Sequence, residues 1–156
     1  MKYAKSPLLV ALTLFVLLAA CKDKPADDTT RTNGYTKNLK SKQDSLFEEV
    51  MAGHDVGMAR MGQLTGYLTK VKASIDSAKK QKPLNQANIV VLESIRADLN
   101  QADFSMNRWM EEFKLDSAEN NEPVRTAYLE SERDKVNRIK ERILNSLKRA
   151  DSLYSK

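Results

Sequence analysis

The sequence predicts an all-α protein: an antiparallel three-helix bundle preceded by a cleaved signal peptide and a disordered tether. From residue 43 onward, apolar residues recur at alternating spacings of three and four in three long stretches, the pattern of helices that bury one stripe. Charged residues make up 30% of the 156 and aromatics only 6%, with five Gly and four Pro, which argues against a β-sandwich or barrel. The breaks between the stretches are short, which favours intrachain hairpins over a parallel intermolecular coiled coil. A single Cys excludes an intrachain disulfide or a multi-Cys zinc site, and a single His removes any site needing two imidazoles.

At the N-terminus, Lys2 and Lys5 lead into an apolar stretch of 13 residues, Leu8 to Ala20. It is shorter than the roughly 20 residues of a membrane span and fits the centre of a signal peptide covering residues 1–20. The stretch closes on Leu18-Ala19-Ala20-Cys21. This resembles the bacterial lipoprotein signal, which has a Leu, two small residues and the Cys that receives the lipid. The resemblance implies cleavage before Cys21 and acylation of its sulfur and amine, palmitate included. Several acyl chains at about 0.8 kcal/mol per buried methylene form a stable membrane anchor. An ordinary secretory signal that happens to precede a Cys is the alternative.

Residues 21–40 have no apolar periodicity. Pro, Asp, Thr, Asn and Gly mark them as a lipidated flexible tether, with a reach of roughly 25 Å. Lys22, not Asp, follows the Cys, so the inner-membrane retention signal of enteric bacteria is missing. Asp23, Asp27 and Asp28 resemble the acidic export signal of surface lipoproteins in the Bacteroidota. The expected location is therefore the cell envelope, at the outer membrane (periplasmic or surface face) rather than the inner membrane. Losing Lys2 and Lys5 with the signal leaves 24 basic and 21 acidic side chains, net +3. That balance gives no reason to expect a nucleic-acid partner.

The bundle is expected to span residues 41–156. Its first helix, about 43–80, has a seam of Phe47, Val50, His54, Gly57, Met61, Leu64, Leu68, Val71, Ile75 and Ala78. Ser41 with Asp44 makes an N-cap. Lys79, Lys80 and Lys82 suit the C-terminal dipole, and Pro83 closes the helix. Gly53, Gly57, Gly62 and Gly66 each cost about 1 kcal/mol relative to Ala inside a helix, which points to close packing or a kink. The second helix, about 85–114, is capped by Asn85 and has its seam at Leu92, Ile95, Leu99, Ala102, Met106, Trp109 and Phe113. Leu115 to Pro123 form a connector. The third helix, about 122–154, starts near Asn121, with Pro123 tolerated in the first turn. Its seam is Leu129, Val136, Ile139, Ile143, Leu147, Ala150 and Tyr154. Its many charges read as a solvated face, with an Asp134–Arg138 pair at i,i+4.

One cluster stands out. Met51, His54, Met58 and Met61 share a face of the first helix, and Met106, Trp109 and Met110 share a face of the second. A hairpin that pairs residue 80 with residue 84 sets His54 opposite Trp109 and Met110, and Met58 opposite Met106. Every methionine except Met1 then lies in one layer around the sole His and the sole Trp. Two readings follow. Met fills irregular core gaps and favours aromatic contacts, and a seam His is held by a carboxylate, here Asp55 or Asp103, through one ring nitrogen. Alternatively, thioethers and imidazole suit Cu(I) or Ag(I). Met51, His54, Met58, Met106 and Met110 are then the metal ligands, Trp109 a cation–π neighbour, and Asp55 and Asp103 the supporting carboxylates. Core packing is the leading reading, with no cofactor.

The pieces His54-Asp55, Met58, Met61, then Ala102-Asp103, Met106, Trp109-Met110 and Phe113 resemble a family of small Bacteroidota lipoproteins often labelled "viral A-type inclusion protein". The similarity covers about residues 45–115 plus the lipid-attachment motif; nothing in the third helix matches. It implies a helical lipoprotein and names no substrate. No nucleophile elbow, phosphate loop, zinc-protease motif or dinucleotide turn is present. The expectation is a non-enzymatic, lipid-anchored helical envelope protein. It would act as a structural or interaction module with an envelope protein partner; soft-metal binding is the alternative.

Overall fold

The computed structural model describes residues 41–155. The expected signal peptide, the Cys21 lipidation site and the 21–40 tether lie outside these residues. Three helices follow one another: α1 Lys42–Ala78, α2 Gln86–Glu112 and α3 Glu122–Tyr154. None of them is long and apolar enough to cross a membrane.

Each helix starts where a short polar side chain takes up a free backbone N–H. Ser41 Oγ accepts from the Asp44 N–H at 3.0 Å, and the Asp44 carboxylate accepts from the Ser41 N–H at 3.0 Å, a reciprocal capping box. Asn85 Oδ1 accepts from the Asn88 N–H. Asn121 Oδ1 accepts from the Val124 N–H, with Pro123 in the first turn where no N–H is needed. The ends differ slightly from expectation. α1 stops at Ala78, and the N–H groups of Lys79, Lys80 and Gln81 fold back onto Ile75, Ser77 and Ala78. Lys79, Lys80 and Lys82 therefore follow the last turn instead of lying in it, and Pro83 is not what stops the helix. α2 stops at Glu112, because Phe113 leaves in an extended conformation.

The helices run up, down and up. Lys79 on α1 pairs with Glu93 on α2 near the first turn, and Arg149 on α3 pairs with Asp98 on α2 at the same end of the bundle. α1 and α3 are parallel: Lys42 meets Glu130, Glu49 meets Arg133, and the Tyr67 hydroxyl donates to Asp151. The predicted phase holds for all three helices. Val50, Leu64, Leu99, Met106, Val136 and Ile143 are fully buried. Tyr154, assigned to the α3 seam, sits at the rim. Six side chains outside the predicted seams join the interior: Leu46, Met51, Tyr67, Ile89, Glu132 and Ser146. Asp134 does not pair with Arg138; its carboxylate accepts from Arg133 at 3.0 Å instead.

The four α1 glycines divide into two kinds. Gly53 and Gly57 are buried. A Cβ on Gly53 would lie 2.9 Å from Val136 Cγ1, and one on Gly57 would lie 2.3 Å from Met106 Cε. These two let α3 and α2 approach the α1 backbone closely. Gly62 and Gly66 are exposed, and a Cβ there meets nothing. In urea titrations Gly62→Ala should therefore stabilise the bundle by about 1 kcal/mol. Gly57→Ala should instead destabilise it by about 1–3 kcal/mol, because Met106 must leave a filled core.

Candidate functional site

His54 faces Trp109 across α1 and α2, as the predicted register requires, and aromatic rings dominate this end of the bundle. Trp109 on α2 lies 5.6 Å from the His54 ring on α1 and 4.9 Å from Phe113. Phe113 also stacks on Tyr128 of α3 at 6.1 Å and on Phe47 of α1 at 6.5 Å. Rings from all three helices and the α2 cap thus close this end of the bundle. Pairs at such separations add about 0.5–1.5 kcal/mol each beyond their burial.

The polar atoms of the layer engage one another. The Trp109 indole N–H donates to Glu132 Oε2 at 2.8 Å, and Lys135 Nζ donates to Glu132 Oε1 at 2.7 Å. Glu132 is only 5% exposed. A carboxylate this deep is tolerated when both oxygens are met. The Lys114 backbone N–H donates to the Tyr128 hydroxyl at 2.7 Å, and Arg125 donates to the carbonyls of Leu115 and Ser117, pinning the connector onto α3. Burial, and then the nearby Glu132 charge, push the Tyr128 hydroxyl above its ordinary pKa, against the Lys114 hydrogen bond. The hydrogen bond to Glu132 raises Lys135, against its own desolvation.

The sequence-predicted site residues divide unevenly. His54 sits at the flank of the α1–α2 seam with its side chain 21% exposed, and its Nδ1–H donates to Asp55 Oδ1 at 3.0 Å. Asp103, the other candidate for that role, accepts from Asn107 on its own helix. Met51 and Met106 are buried, whereas Met58 and Met110 are each 37% exposed. Met106 lies over Gly57 instead of over Met58, because the gap left by the missing Cβ admits its terminal methyl. No group of three or more His, Cys, Asp or Glu suited to a metal occurs among the described residues.

Glu132 escaped the sequence reading, although a signal was present. The α3 seam jumps from Leu129 to Val136, a gap of seven in a rhythm of threes and fours, and Glu132 fills the missing position. No family model, curated protein or solved structure matches the chain.

Two outcomes follow. Trp109→Phe keeps the ring stack but removes the donor to Glu132, so it should cost about 1–3 kcal/mol in urea unfolding. Glu132→Gln, which still accepts from the indole, should cost less. Tyr128 and Lys135 both hold their protons more tightly folded than unfolded. The folded state then binds more protons above pH about 10, the ordinary range of both groups, and stability falls as pH rises past it. Melting temperatures measured from pH 8 to 11 should decline at the alkaline end, and less steeply in Tyr128→Phe.

Proposed function

We propose that this chain is a lipid-anchored, non-enzymatic helical protein of the cell envelope. The bundle would serve as a structural or interaction module, tethered through Cys21 to the outer membrane. The observation that carries the reading is the state of the one chemically unusual layer. Its ring stack is closed by Phe47, Phe113 and Tyr128, and its buried carboxylate is engaged by Trp109 and Lys135. Such a layer contributes rigidity and leaves interaction to the charged outer faces. The Leu18-Ala19-Ala20-Cys21 junction supports the anchor, and the resemblance to small Bacteroidota lipoproteins is consistent with both.

A second reading rests on His54. Among the described residues only its Nδ1 is engaged, by Asp55. Met58, one turn after His54 on α1, and Met110, next to Trp109 on α2, are both exposed. Imidazole and thioether donors suit Cu(I) or Ag(I), and His54, Met58 and Met110 would hold the ion while Met51 and Met106 pack beneath. Bound there, the ion would be stored or passed on without redox work by the protein.

Fractionation tests the anchor: Cys21→Ser should move the protein from the membrane to the soluble fraction, and unchanged retention contradicts it. Anaerobic titration with Ag(I) separates the two readings, since Trp109 is the only Trp. The structural reading predicts unchanged Trp109 emission. Stoichiometric quenching that disappears in His54→Ala with Met110→Ala would establish the metal site.

A further inference from the structure

The groove between α2 and α3 holds a cationic pair with no acidic counterpart. Arg138 and Arg142 lie one turn apart on α3 and line two adjoining clefts of about 700 and 280 Å³. Most arginines of the bundle are matched: Arg96 to Glu93, Arg108 to Glu112, Arg133 to Asp134, Arg149 to Asp98, and Arg125 to two carbonyls. Among the described residues Arg138 has no hydrogen-bond or ion-pair partner, and Arg142 reaches only the neutral Ser105 Oγ, at 3.4 Å. Arg60 is likewise unmatched, but it stands alone on α1 with Val56 and Leu64 one turn away on either side. The three acids that line the two clefts face other cations: Asp98 on Arg149, Glu112 on Arg108, and Glu141 at 3.6 Å from Lys140.

Like charges at i,i+4 weaken a helix by a few tenths of a kcal/mol, and an anion seated between them reverses the sign. The geometry selects the anion. One arginine fork already occupies both oxygens of a carboxylate. A phosphate monoester carries close to two charges and three acceptor oxygens, enough for two forks. The larger cleft falls in the size range of small-ligand sites. Gln101 and Asn145 line it as well and offer amide groups to ester or hydroxyl oxygens. Phe104, 55% exposed, and Trp109 line the smaller one. We propose that the α2–α3 groove is a phosphate-binding site in which Arg138 and Arg142 hold the phosphate group of a ligand, and Phe104 meets its less polar part. The phosphate is a monoester, belonging either to a lipid headgroup such as that of phosphatidic acid or to a soluble compound. The site does not depend on the anchor: Cys21→Ser can fail while the groove binds, and the reverse.

The test uses the protein purified in micelles of an uncharged detergent at constant ionic strength. One arm adds inorganic phosphate, and the other dopes phosphatidic acid, a lipid phosphate monoester, into the micelles. Trp109 emission reports occupancy, and the melting temperature reports linkage. A saturable change is expected in at least one arm. Arg138→Gln with Arg142→Gln should weaken it by roughly tenfold or more, the loss of charged hydrogen bonds. Arg60→Gln with Lys72→Gln removes the same charge from α1 and should leave binding intact. The paired Lys variants of Arg138 and Arg142 keep the charge but lose the forks, and should also bind more weakly. A response to phosphate alone identifies a soluble ligand, and a response to the lipid alone identifies a headgroup. No saturable change in either arm, or equal losses in the groove and α1 variants, overturns the proposal.

Discussion

A buried carboxylate constrains this bundle more than any apolar contact does. Taking an ionised Glu132 out of water costs several kcal/mol unless both oxygens are met in good geometry. Trp109 and Lys135 meet them, at 2.8 and 2.7 Å. The bond to Trp109 ties α2 to α3 at one end of the bundle, as Arg149 and Asp98 do at the other. It also holds the indole where it meets both Phe113 and His54, so the ring stack that joins all three helices depends on it. Lys135 is half exposed and brings the countercharge from the solvent side. The tie is therefore charged, buried at one end and wet at the other.

The apolar rhythm carried most of the fold. Wherever a seam position held Val, Leu, Ile, Ala or Met, the periodicity placed it correctly, because burial follows helical phase once the period is known. The N-caps at Ser41, Asn85 and Asn121 were legible for a different reason: a short polar side chain before an apolar run satisfies a backbone N–H that nothing else reaches. Leu46 and Ile89, near the starts of α1 and α2, escaped, and so did polar side chains. Glu132 and Ser146 occupy interior positions with side chains that usually face water. Ser146 resolves this by donating to the Ile143 carbonyl on its own helix, and Glu132 by binding two other residues. Tyr67 was missed because its ring packs inward while its hydroxyl reaches Asp151. The glycines were legible as a departure from helix propensity. Their division into a close-packed pair and an open pair needed the third helix, which sequence spacing cannot position.

The candidate layer was found from sequence because the hairpin register follows from where two helices stop and start. His54 faces Trp109 as that register requires. Its chemical character was less legible. Five methionines in one layer suggest a soft-ligand cage, but a glycine opposite Met106 turns one of them into a core filler, and Phe113 and Tyr128 close the layer on the α3 side. A cleft of about 700 Å³ lies elsewhere, in the arginine-lined groove between α2 and α3.

The indole N–H of Trp109 tests the account most directly, because a single Trp gives a single resonance in a proton–nitrogen correlation spectrum. If the bond to Glu132 closes a buried layer, this proton should exchange with deuterium only as fast as the whole bundle unfolds. Its resonance should also move in Glu132→Gln. Exchange within the dead time of the experiment, or a resonance indifferent to Glu132, would mean that the layer is open and that the bundle is organised around something other than this carboxylate.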